Sequence, residues 1–172
     1  TLNIGNYNEW DDFVLSFTIK PLGKLSGWTN IIHNTFSNKN CCDAGDRWPA
    51  IWFRSNTTKM HIRLGKGPSN WNNGHDPTYQ LPLNQESKVV IDLNGDKLNV
   101  KIFDQGGKSV YDRTITVPKD RVSASIKSNS NHNFYFSDPW HGAANVEVKN
   151  MTIKSHAAIN AEKYIKTAQQ QS

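Results

Sequence analysis

The stretch Ser26–Phe53, SGWTNIIHNTFSNKNCCDAGDRWPAIWF, contains the features on which the fold depends. It begins and ends with apolar runs rich in β-forming residues, WTNIIH and PAIWF, which predict two strands. The polar segment between these runs carries both cysteines of the chain, Cys41 and Cys42. Because binding residues are usually placed on loops that a rigid sheet supports, this segment is either a ligand-binding loop or a polar connection held by an ion pair.

The remainder of the chain shows the period-two alternation of half-buried strands. Asn94-Gly95 joins two alternating runs in a predicted hairpin, since both residues accept the positive φ of a type I′ turn. By contrast, residues 65–86 are rich in Gly, Pro and Asn and predict one long ordered loop. The predicted strands are Phe13–Lys20, Trp28–His33, Pro49–Phe53, Lys59–Leu64, Lys88–Leu93, Lys97–Phe103, Ser109–Val117, Val122–Lys127, Phe134–Phe136 and Val146–Lys154, with a bulge near Lys149-Asn150 in the last.

About ten short strands separated by turn residues, with no helix before the C-terminal end, predict an all-β antiparallel sandwich. The length of 172 residues fits one domain. We expect residues 1–155 to form the sandwich and residues 156–172, which have high helix propensity, to form a short C-terminal helical tail or linker. The apolar positions of that helix are Ala158, Ala161, Ile165 and Ala168.

The charge and hydropathy patterns exclude two classes of partner. The net charge is +5, but the basic residues are spread singly along the chain and form no run typical of a nucleic-acid-binding arm. No stretch approaches 18 apolar residues, so the sequence predicts no membrane span. A weakly basic surface favours acidic sugars or anionic surfaces, although without specificity.

Two features are typical of a secreted protein. Asn56-Thr57-Thr58 and Asn150-Met151-Thr152 are sequons that permit N-glycosylation of Asn56 and Asn150 in a secreted eukaryotic chain. Cys41 and Cys42 are adjacent, and in an oxidising compartment we expect them to bond to each other. In the cytosol the two would instead be free thiols, and the sequence leaves that alternative open.

The order of the motifs resembles the laminin G-like, or concanavalin A-like, jelly-roll superfamily. The likeness lies in FVLSFTIKP, SGWTNIIHNTF with CCDAGDRWPAIWF, LPLNQESKVVIDLNGDKLNVKIFDQGGKSVY and FYFSDPWHGAANVEVKNMTIK, and it covers Phe13–Lys154. The resemblance implies two curved antiparallel sheets and an extracellular or cell-surface binding or adhesion module, often part of a larger protein. Members bind sugars, proteins or peptides, so the fold alone leaves the ligand open.

Catalysis is not expected from the acidic residues. Glycoside hydrolysis requires two carboxylates flanking the scissile bond, and hydrolases that resemble this fold carry them as alternating acids on one strand. Here Glu9, Glu86, Glu147 and Glu162 stand isolated, and no predicted strand alternates acids. The G-x-S-x-G elbow of serine hydrolases is also missing from the sequence. We therefore predict a non-catalytic module.

The acids beside the cysteines admit two interpretations. Asp43, Asp46 and Asp138 supply the oxygen ligands that Ca²⁺ prefers, and together with loop carbonyls they form a candidate calcium site. Alternatively, Arg47 pairs with Asp46 or Asp138 and joins two loops. We favour a structural role for Arg47, since a partly buried guanidinium needs a compensating partner.

Aromatic side chains in loops are candidates for stacking on sugar rings. Trp28 and Trp52 lie in predicted strands, where alternation usually buries such residues, so we expect them in the core. Trp71 and Trp140 lie in predicted loops and are better surface candidates.

The predicted ligand surface combines the loops 38–48, 67–79 and 137–145, because a sandwich gathers its connections at its rims. Its ligand is predicted to be a carbohydrate or an extracellular protein, with Ca²⁺ as a candidate cofactor. The alternative is a structural or assembly domain with no small-molecule ligand. The residues predicted to form the surface are Asp43, Asp46, Trp48, Trp71, Asn73, His75, Asp138 and Trp140.

Overall fold

The computed structural model describes residues 12–67, 69–128, 131–160 and 170. Two antiparallel sheets pack as a β-sandwich, and residues 156–160 form a short C-terminal helical turn, which confirms the predicted fold class. The strands are β1 (Phe13–Pro21), β2 (Thr29–Thr35), β3 (Ala50–Phe53), β4 (Met60–Leu64), β5 (Asn73–His75), β6 (Ser87–Asn94), β7 (Lys97–Phe103), β8 (Ser109–Thr116), β9 (Asn133–Phe136), β10 (Gly142–Ala143) and β11 (Val146–Ser155), and the helix α1 spans Ala124–Lys127.

Sheet 1 has five strands in the order β11-β1-β6-β7-β8. Sheet 2 has six strands, in the order β10-β2-β3-β4-β5 with β9 also paired to β2. The strands β9 and β10 both pair with β2: β9 runs antiparallel beside its second half, and β10 forms a short parallel bridge with Thr29 and Asn30. The chain therefore runs along the edge of β2 twice, first as β9 and then as β10, and residues 137–141 connect these two strands.

The core lies between the two sheets and follows the alternation read from the sequence. On β1, Phe13, Leu15, Phe17 and Ile19 are all buried, and the residues between them are partly exposed. Each such side chain contributes roughly 1.5–3 kcal/mol through removal of apolar surface from water. The core residues that sheet 2 contributes include Ile32, Ile51, Phe53, Met60, Ile62 and Leu64.

The outer face of sheet 2 carries the side chains that alternate with these core residues. Trp52 on β3 lies opposite His61 on β4, and Ala50 lies opposite both His33 on β2 and Arg63 on β4. The sheet therefore presents an indole, two imidazoles and a guanidinium on one outer face. Loops from three parts of the chain cover this face.

The predicted strand Val122–Lys127 is wrong, because Ala124–Lys127 is the short helix α1. Val122 and Ile126 are four residues apart, and this spacing fits one face of a helix as well as one face of a strand. Both side chains pack against the loop before β3: a Cβ added at Gly45 would lie 2.8 Å from Ile126 and 3.2 Å from Val122.

Two further details concern strands β5 and β11. β5 lies inside the segment 65–86, which the sequence predicted as a loop throughout. The bulge predicted in the last strand is confirmed, since Ser16 pairs with Thr152 whereas Thr18 pairs with Lys149.

The predicted domain boundary after residue 155 stays a prediction, and most of the tail, including Ala161, Ile165 and Ala168, lies outside the described residues.

Within the part of the chain that the structure describes, no helix has the length and apolar character needed to cross a membrane.

Candidate ligand-binding site

A cavity of about 290 Å³ lies on the outer face of sheet 2, and we call it the tryptophan cavity. Trp52 and His61 come from the sheet itself, and Trp28 directly precedes β2. The remaining lining residues come from the three loops that cover this face. The cavity is lined by Trp28, Arg47, Trp52, His61, Trp71, Asn72 and His141.

A glycine brings the first of these loops into place. β5 pairs with β4 through Gly74, which lies opposite Arg63. A Cβ added at Gly74 would lie 1.9 Å from the carbonyl oxygen of Ile62, so any other residue would push β5 away. The close approach of these strands holds Trp71 and Asn72, which directly precede β5, at the wall of the cavity.

Asp138 holds the second loop in place. Its backbone N–H donates to Asn30 Oδ1 at 2.9 Å, and His33 Nδ1 donates to its Oδ2 at 2.7 Å. Its Oδ1 accepts from the backbone N–H groups of Trp140, at 3.0 Å, and His141, at 2.9 Å. The buried carboxylate thereby orders the turn that brings His141 to the cavity.

Burial alone would raise the pKa of Asp138. Hydrogen bonds from His33 and His141, together with their favourable charge interaction, instead hold the pKa of this carboxyl below its usual value. Asp138 therefore stays ionised at neutral pH, and both of its oxygens are occupied by neighbouring donors.

Asp46 closes the third loop in a similar way. Its carboxylate accepts hydrogen bonds from the Ser37 hydroxyl and from the Asp43 N–H, the latter at 3.0 Å. His33 Nε2 donates to its backbone carbonyl at 2.8 Å. The side chain of Asp43 is exposed and has Lys39 Nζ at 3.5 Å as a partner.

The structure does not bring Asp43, Asp46 and Asp138 together as a calcium site. Among the residues that it describes, no group of three His, Cys, Asp or Glu side chains is arranged to hold a metal ion. The reason is that Asp46 and Asp138 point to hydrogen-bond donors within their own loops, whereas Asp43 points to solvent.

Arg47 lines the cavity, with only 9% of its surface exposed. Its guanidinium carbon is 4.7 Å from the ring centroid of Trp52 and 5.1 Å from that of Trp71. Nε donates to the backbone carbonyl of Asn40 at 2.9 Å, and Nη1 donates to Asn72 Oδ1 at 2.6 Å. Arg47 therefore connects two loops, and it does so through amide oxygens and two indole rings.

The ion pair predicted for Arg47 does not form, because His33 and Ser37 already engage the carboxylates of Asp138 and Asp46. Burial, with a further contribution from the charge of Arg63, lowers the pKa of Arg47 to about 10. Asp138 and Asp46 offset part of this shift from a distance. Arg47 is consequently a charged group at neutral pH whose burial is only partly compensated.

His61 presents a hydrogen-bond acceptor at the cavity wall. Its Nδ1 lies 2.6 Å from Asp76 Oδ1, and Arg63 Nη1 donates to the same oxygen at 3.1 Å. Burial, followed by the charge of Arg63, lowers the pKa of His61 to about 4. At neutral pH the ring is uncharged with its proton on Nδ1, so Nε2 is an acceptor.

Trp28 and Trp48 have the opposite positions to those the sequence predicted. Trp48, predicted as part of the ligand surface, is fully buried and packs edge-on against Phe13 with ring centroids 6.2 Å apart. Trp28, predicted as a core residue, is 45% exposed and packs edge-on against His61 at 4.6 Å. Trp48 lies near the end of the loop before β3 and packs in the hydrophobic core, whereas Trp28 directly precedes β2 and is exposed.

Trp52 and Trp140 differ in their relation to the cavity. Trp52 is buried as expected, but on the outer face of sheet 2 rather than in the sandwich core, and it forms part of the cavity floor. Trp140 is exposed and lies outside the lining, where its ring contacts His33 at 5.3 Å and Tyr135 at 5.8 Å.

Asn73 and His75 belong to β5 and do not line the cavity. His75 Nε2 lies 2.6 Å from the hydroxyl of Tyr111 on β8, so the side chain points between the sheets. Because strand residues alternate, Asn73 is on the same face as His75, and the outward position between them is Gly74.

The remaining predicted residues lie at the surface. Cys41 and Cys42 are bonded to each other in the loop that supplies Asn40 to Arg47. Asn56 and Asn150, the two sequon asparagines, are both exposed. Their modification stays a prediction.

No protein-family model matches the sequence, and no curated protein matches it. Solved structures do match. The binding domain of botulinum neurotoxin DC in complex with SialylT has a TM-score of 0.56 and 19% identity, over 88% of this chain and 34% of that chain. Botulinum neurotoxin type C, whose cell entry depends upon interaction with two ganglioside molecules, has a TM-score of 0.51 and 16% identity, over 87% and 34%.

A third similar structure is the Trypanosoma rangeli sialidase in complex with 2,3-difluorosialic acid, with a TM-score of 0.52 and 15% identity, over 86% of this chain and 21% of that chain. At these identities the likeness shows a shared β-sandwich fold. This chain spans about a third of the length of the toxin structures and about a fifth of the sialidase.

Proposed function

We propose that this chain is a non-catalytic carbohydrate-binding module that takes its glycan in the tryptophan cavity. The observation that carries the proposal is the convergence of three indole rings, Trp28, Trp52 and Trp71, on one concave site that also contains Arg47. Three loops and two strands build this site, although the residues are far apart in the sequence.

The lining suits a sugar because it combines flat apolar faces with a few fixed polar groups. The exposed ring of Trp28 offers a face on which the C–H side of a pyranose can stack. His61 Nε2 can accept a hydrogen bond from a hydroxyl, and the side-chain amide of Asn72 is at the rim. A cavity of about 290 Å³ is at the small end of ligand pockets, which matches one sugar unit better than a larger ligand.

The structural neighbours support a glycan over a protein ligand. One is a toxin binding domain in complex with SialylT, one is a neurotoxin whose cell entry depends upon interaction with two ganglioside molecules, and a third is a sialidase in complex with 2,3-difluorosialic acid. Because this chain covers only part of each neighbour, their activities are not transferred to it.

The absence of acids from the lining supports a binding role over hydrolysis. Glycoside hydrolysis uses a pair of carboxyl groups about 5–9.5 Å apart across the bond that is cleaved. None of the residues that line the tryptophan cavity in the described chain is Asp or Glu. We place the module outside the cell or at its surface, and we retain calcium assistance as a proposal to be tested by adding a chelator to the binding assay.

The test is a glycan array probed with the parent protein, followed by affinity measurements on the best ligand. We expect Trp28→Ala and Trp71→Ala to lose binding while keeping the parental melting temperature. Phe136→Ala is the matched control, since this ring is also exposed but lies on another face of the molecule. Equal binding by both tryptophan variants and the parent would contradict the proposed site.

A structural or assembly role is the second candidate, and one observation favours it. An apolar groove of about 400 Å³ runs between β9 and β11, where Phe136 is 50% exposed beside Ile31, Val146 and Val148. A groove of this kind is typical of a surface that another chain covers. If Phe136→Ala abolishes oligomers of the parent seen by light scattering, and the array finds no glycan, the assembly role replaces the binding role.

A further inference from the structure

A second depression, of about 380 Å³, adjoins the tryptophan cavity. The two share Trp28 as a common wall, and the guanidinium carbon of Arg54 lies 6.0 Å from the centroid of the Trp28 ring. Arg47 in the tryptophan cavity and Arg54 and Lys59 in the second depression therefore lie on either side of the exposed Trp28 ring. Within the described residues, no Asp or Glu lines either depression. The second depression is lined by Trp28, Arg54, Ser55, Thr57 and Lys59.

Arg47 has hydrogen-bonding capacity that the protein does not use. Of its five N–H donors, one on Nε bonds to the Asn40 carbonyl, one on Nη1 bonds to Asn72, and one on Nη2 makes a long 3.4 Å contact with Asn40 Oδ1. The described residues offer no acceptor for the other two. A guanidinium with two free N–H groups matches a carboxylate or sulfate, whose oxygens accept in pairs.

Trp52 supplies another unused donor at the same place. The indole is 2% exposed, and its Nε1 has no hydrogen-bond partner among the described residues. The ring lies 4.7 Å from the Arg47 guanidinium carbon. A buried N–H without an acceptor is unfavourable, so an oxygen placed against the cavity floor relieves an unmet hydrogen bond.

The electrostatic environment of Arg47 also favours an anionic ligand. Burial holds its pKa at about 10, because the protein surrounds the charge with amides, indoles and a second cation, Arg63. Asp46 and Asp138 already serve other donors. An anion in the cavity would compensate a charge that the fold leaves partly uncompensated.

We propose that the ligand of the tryptophan cavity is an acidic saccharide. Its anionic group, a carboxylate or a sulfate, accepts hydrogen bonds from Arg47 and Trp52 at the cavity floor. The adjoining sugar crosses Trp28 toward Arg54 and Lys59. This inference rests on the proposed glycan-binding function and adds the chemical class of the glycan.

The test uses an array of matched pairs, in which each neutral glycan is printed beside its sialylated, uronic-acid-containing and sulfated counterparts. We expect the acidic member of a pair to bind about tenfold more tightly than the neutral member, and its affinity to fall as the salt rises from about 50 to 200 mM. Whether the carboxylated or the sulfated member is preferred identifies the source of the charge. If neutral and acidic members bind equally, the inference is overturned and the glycan-binding function stands, whereas binding of no glycan overturns both.

Three variants then locate the anion. Arg47→Gln removes the charge, and Trp52→Phe removes the indole N–H and part of the ring while keeping an aromatic floor. The double variant Arg54→Gln/Lys59→Gln changes side chains at the edge of the second depression. We expect each to weaken the acidic glycan about tenfold and its neutral partner by a smaller factor, so that the preference for the acidic member of the pair falls.

The control is Arg113→Gln, which removes an exposed cation from β8 on sheet 1. We expect it to keep the parental affinity for the acidic glycan. If Arg47→Gln fails to fold, Trp52→Phe and the double variant decide the question. Parental affinity for the acidic glycan in both of these variants would overturn the proposed position of the anion.

Discussion

His33 Nδ1 and Asp138 Oδ2 lie 2.7 Å apart, and both side chains are fully buried. The second ring nitrogen of His33 is 2.8 Å from the backbone carbonyl of Asp46, which can only accept a hydrogen bond. The buried ring of His33 therefore contacts both the loop of Asp138 and the loop of Asp46. This pair of contacts links β2 to two loops and thereby positions His141 at the cavity.

We predict that Asp138→Asn destabilises the protein by about 3–5 kcal/mol, because it removes a buried carboxylate that His33, Trp140 and His141 all contact. Chemical denaturation followed by tryptophan fluorescence measures the free energy of unfolding. The control is Asp43→Asn, in which an exposed carboxylate with one long contact to Lys39 is lost. We expect that variant to stay within about 0.5 kcal/mol of the parent. Similar losses in the two variants would contradict the structural role of Asp138.

The stability of the fold is predicted to decrease in acid. Burial, followed by the charge of Arg63, lowers the pKa of His61 to about 4, and burial lowers the pKa of His132 to about 4. In the unfolded chain both rings take up protons near pH 6.5. Between these values the unfolded state binds more protons, so the free energy of unfolding falls as the pH falls from about 6.5 to 4.

Carboxylates extend this loss to lower pH. The pKa values of Asp76 and Asp138 are lowered, so the stability they contribute is present above their unfolded pKa values and is lost as the pH falls through the folded ones. Thermal melts from about pH 7 to 3 measure the effects of both the histidines and the carboxylates. His132→Gln removes one titrating ring, and its melting temperature should fall less steeply than that of the parent. A parental melting temperature that does not change over this range would contradict the prediction.

The fold could be predicted because the alternation of apolar and polar residues along a strand shows directly which side chains are buried. In Phe13–Pro21 every second residue is buried, as the sequence indicates. Val122 and Ile126 show where this reasoning fails, since four-residue spacing is common to both secondary structures and only packing against the loop at Gly45 decides between them.

The site could be predicted only in part, because long-range folding of the loops determines it. The sequence indicated that Trp71 is a loop aromatic at the surface, and alternation along the predicted strand Lys59–Leu64 puts His61 on the face opposite Met60, Ile62 and Leu64. It did not reveal Asn72 or His141 as lining residues. These two depend on β5 pairing and on the Asp138 turn, and no local pattern in the sequence records either contact.

Alanine variants of Trp28 and Trp48 test the exposed position of the first ring and the buried position of the second. We predict that Trp48→Ala lowers the free energy of unfolding by about 3–5 kcal/mol, because it creates a cavity beside Phe13 in the core. Trp28→Ala should melt like the parent but weaken glycan binding by about 1–3 kcal/mol, by analogy with other aromatic stacking platforms. Denaturation and calorimetric titration of the same two proteins measure the two effects. A stable Trp48→Ala variant would show that this ring is not a core residue.

The two cysteines are predicted to be closed to alkylation in the mature protein, since the structure bonds Cys41 to Cys42. Intact mass after iodoacetamide treatment should show no added group without reductant and two added groups after reduction and unfolding. A doubly alkylated protein without reductant would contradict the prediction. The double variant Cys41→Ser/Cys42→Ser should also weaken glycan binding, because Asn40, which orients Arg47, directly precedes the bond.

The last prediction separates a structural from a ligand-binding role for Arg47. Among the described residues the Arg47 side chain pairs with no carboxylate. Its charge is disfavoured by burial and by Arg63, and its partners Asn40 and Asn72 are partly or fully exposed. Arg47→Met keeps the apolar stem between Trp52 and Trp71 and removes the charge that the fold leaves partly uncompensated.

We therefore expect Arg47→Met to unfold at a temperature no lower than that of the parent, measured by differential scanning calorimetry at pH 7. The same variant should bind acidic glycans at least about tenfold more weakly. Arg63→Met is the matched comparison, because Arg63 pairs with Asp76 at 3.1 Å and its loss leaves that carboxylate short of a partner. A marked loss of stability in Arg47→Met, with unchanged glycan affinity, would show that Arg47 supports the loops instead of binding the ligand.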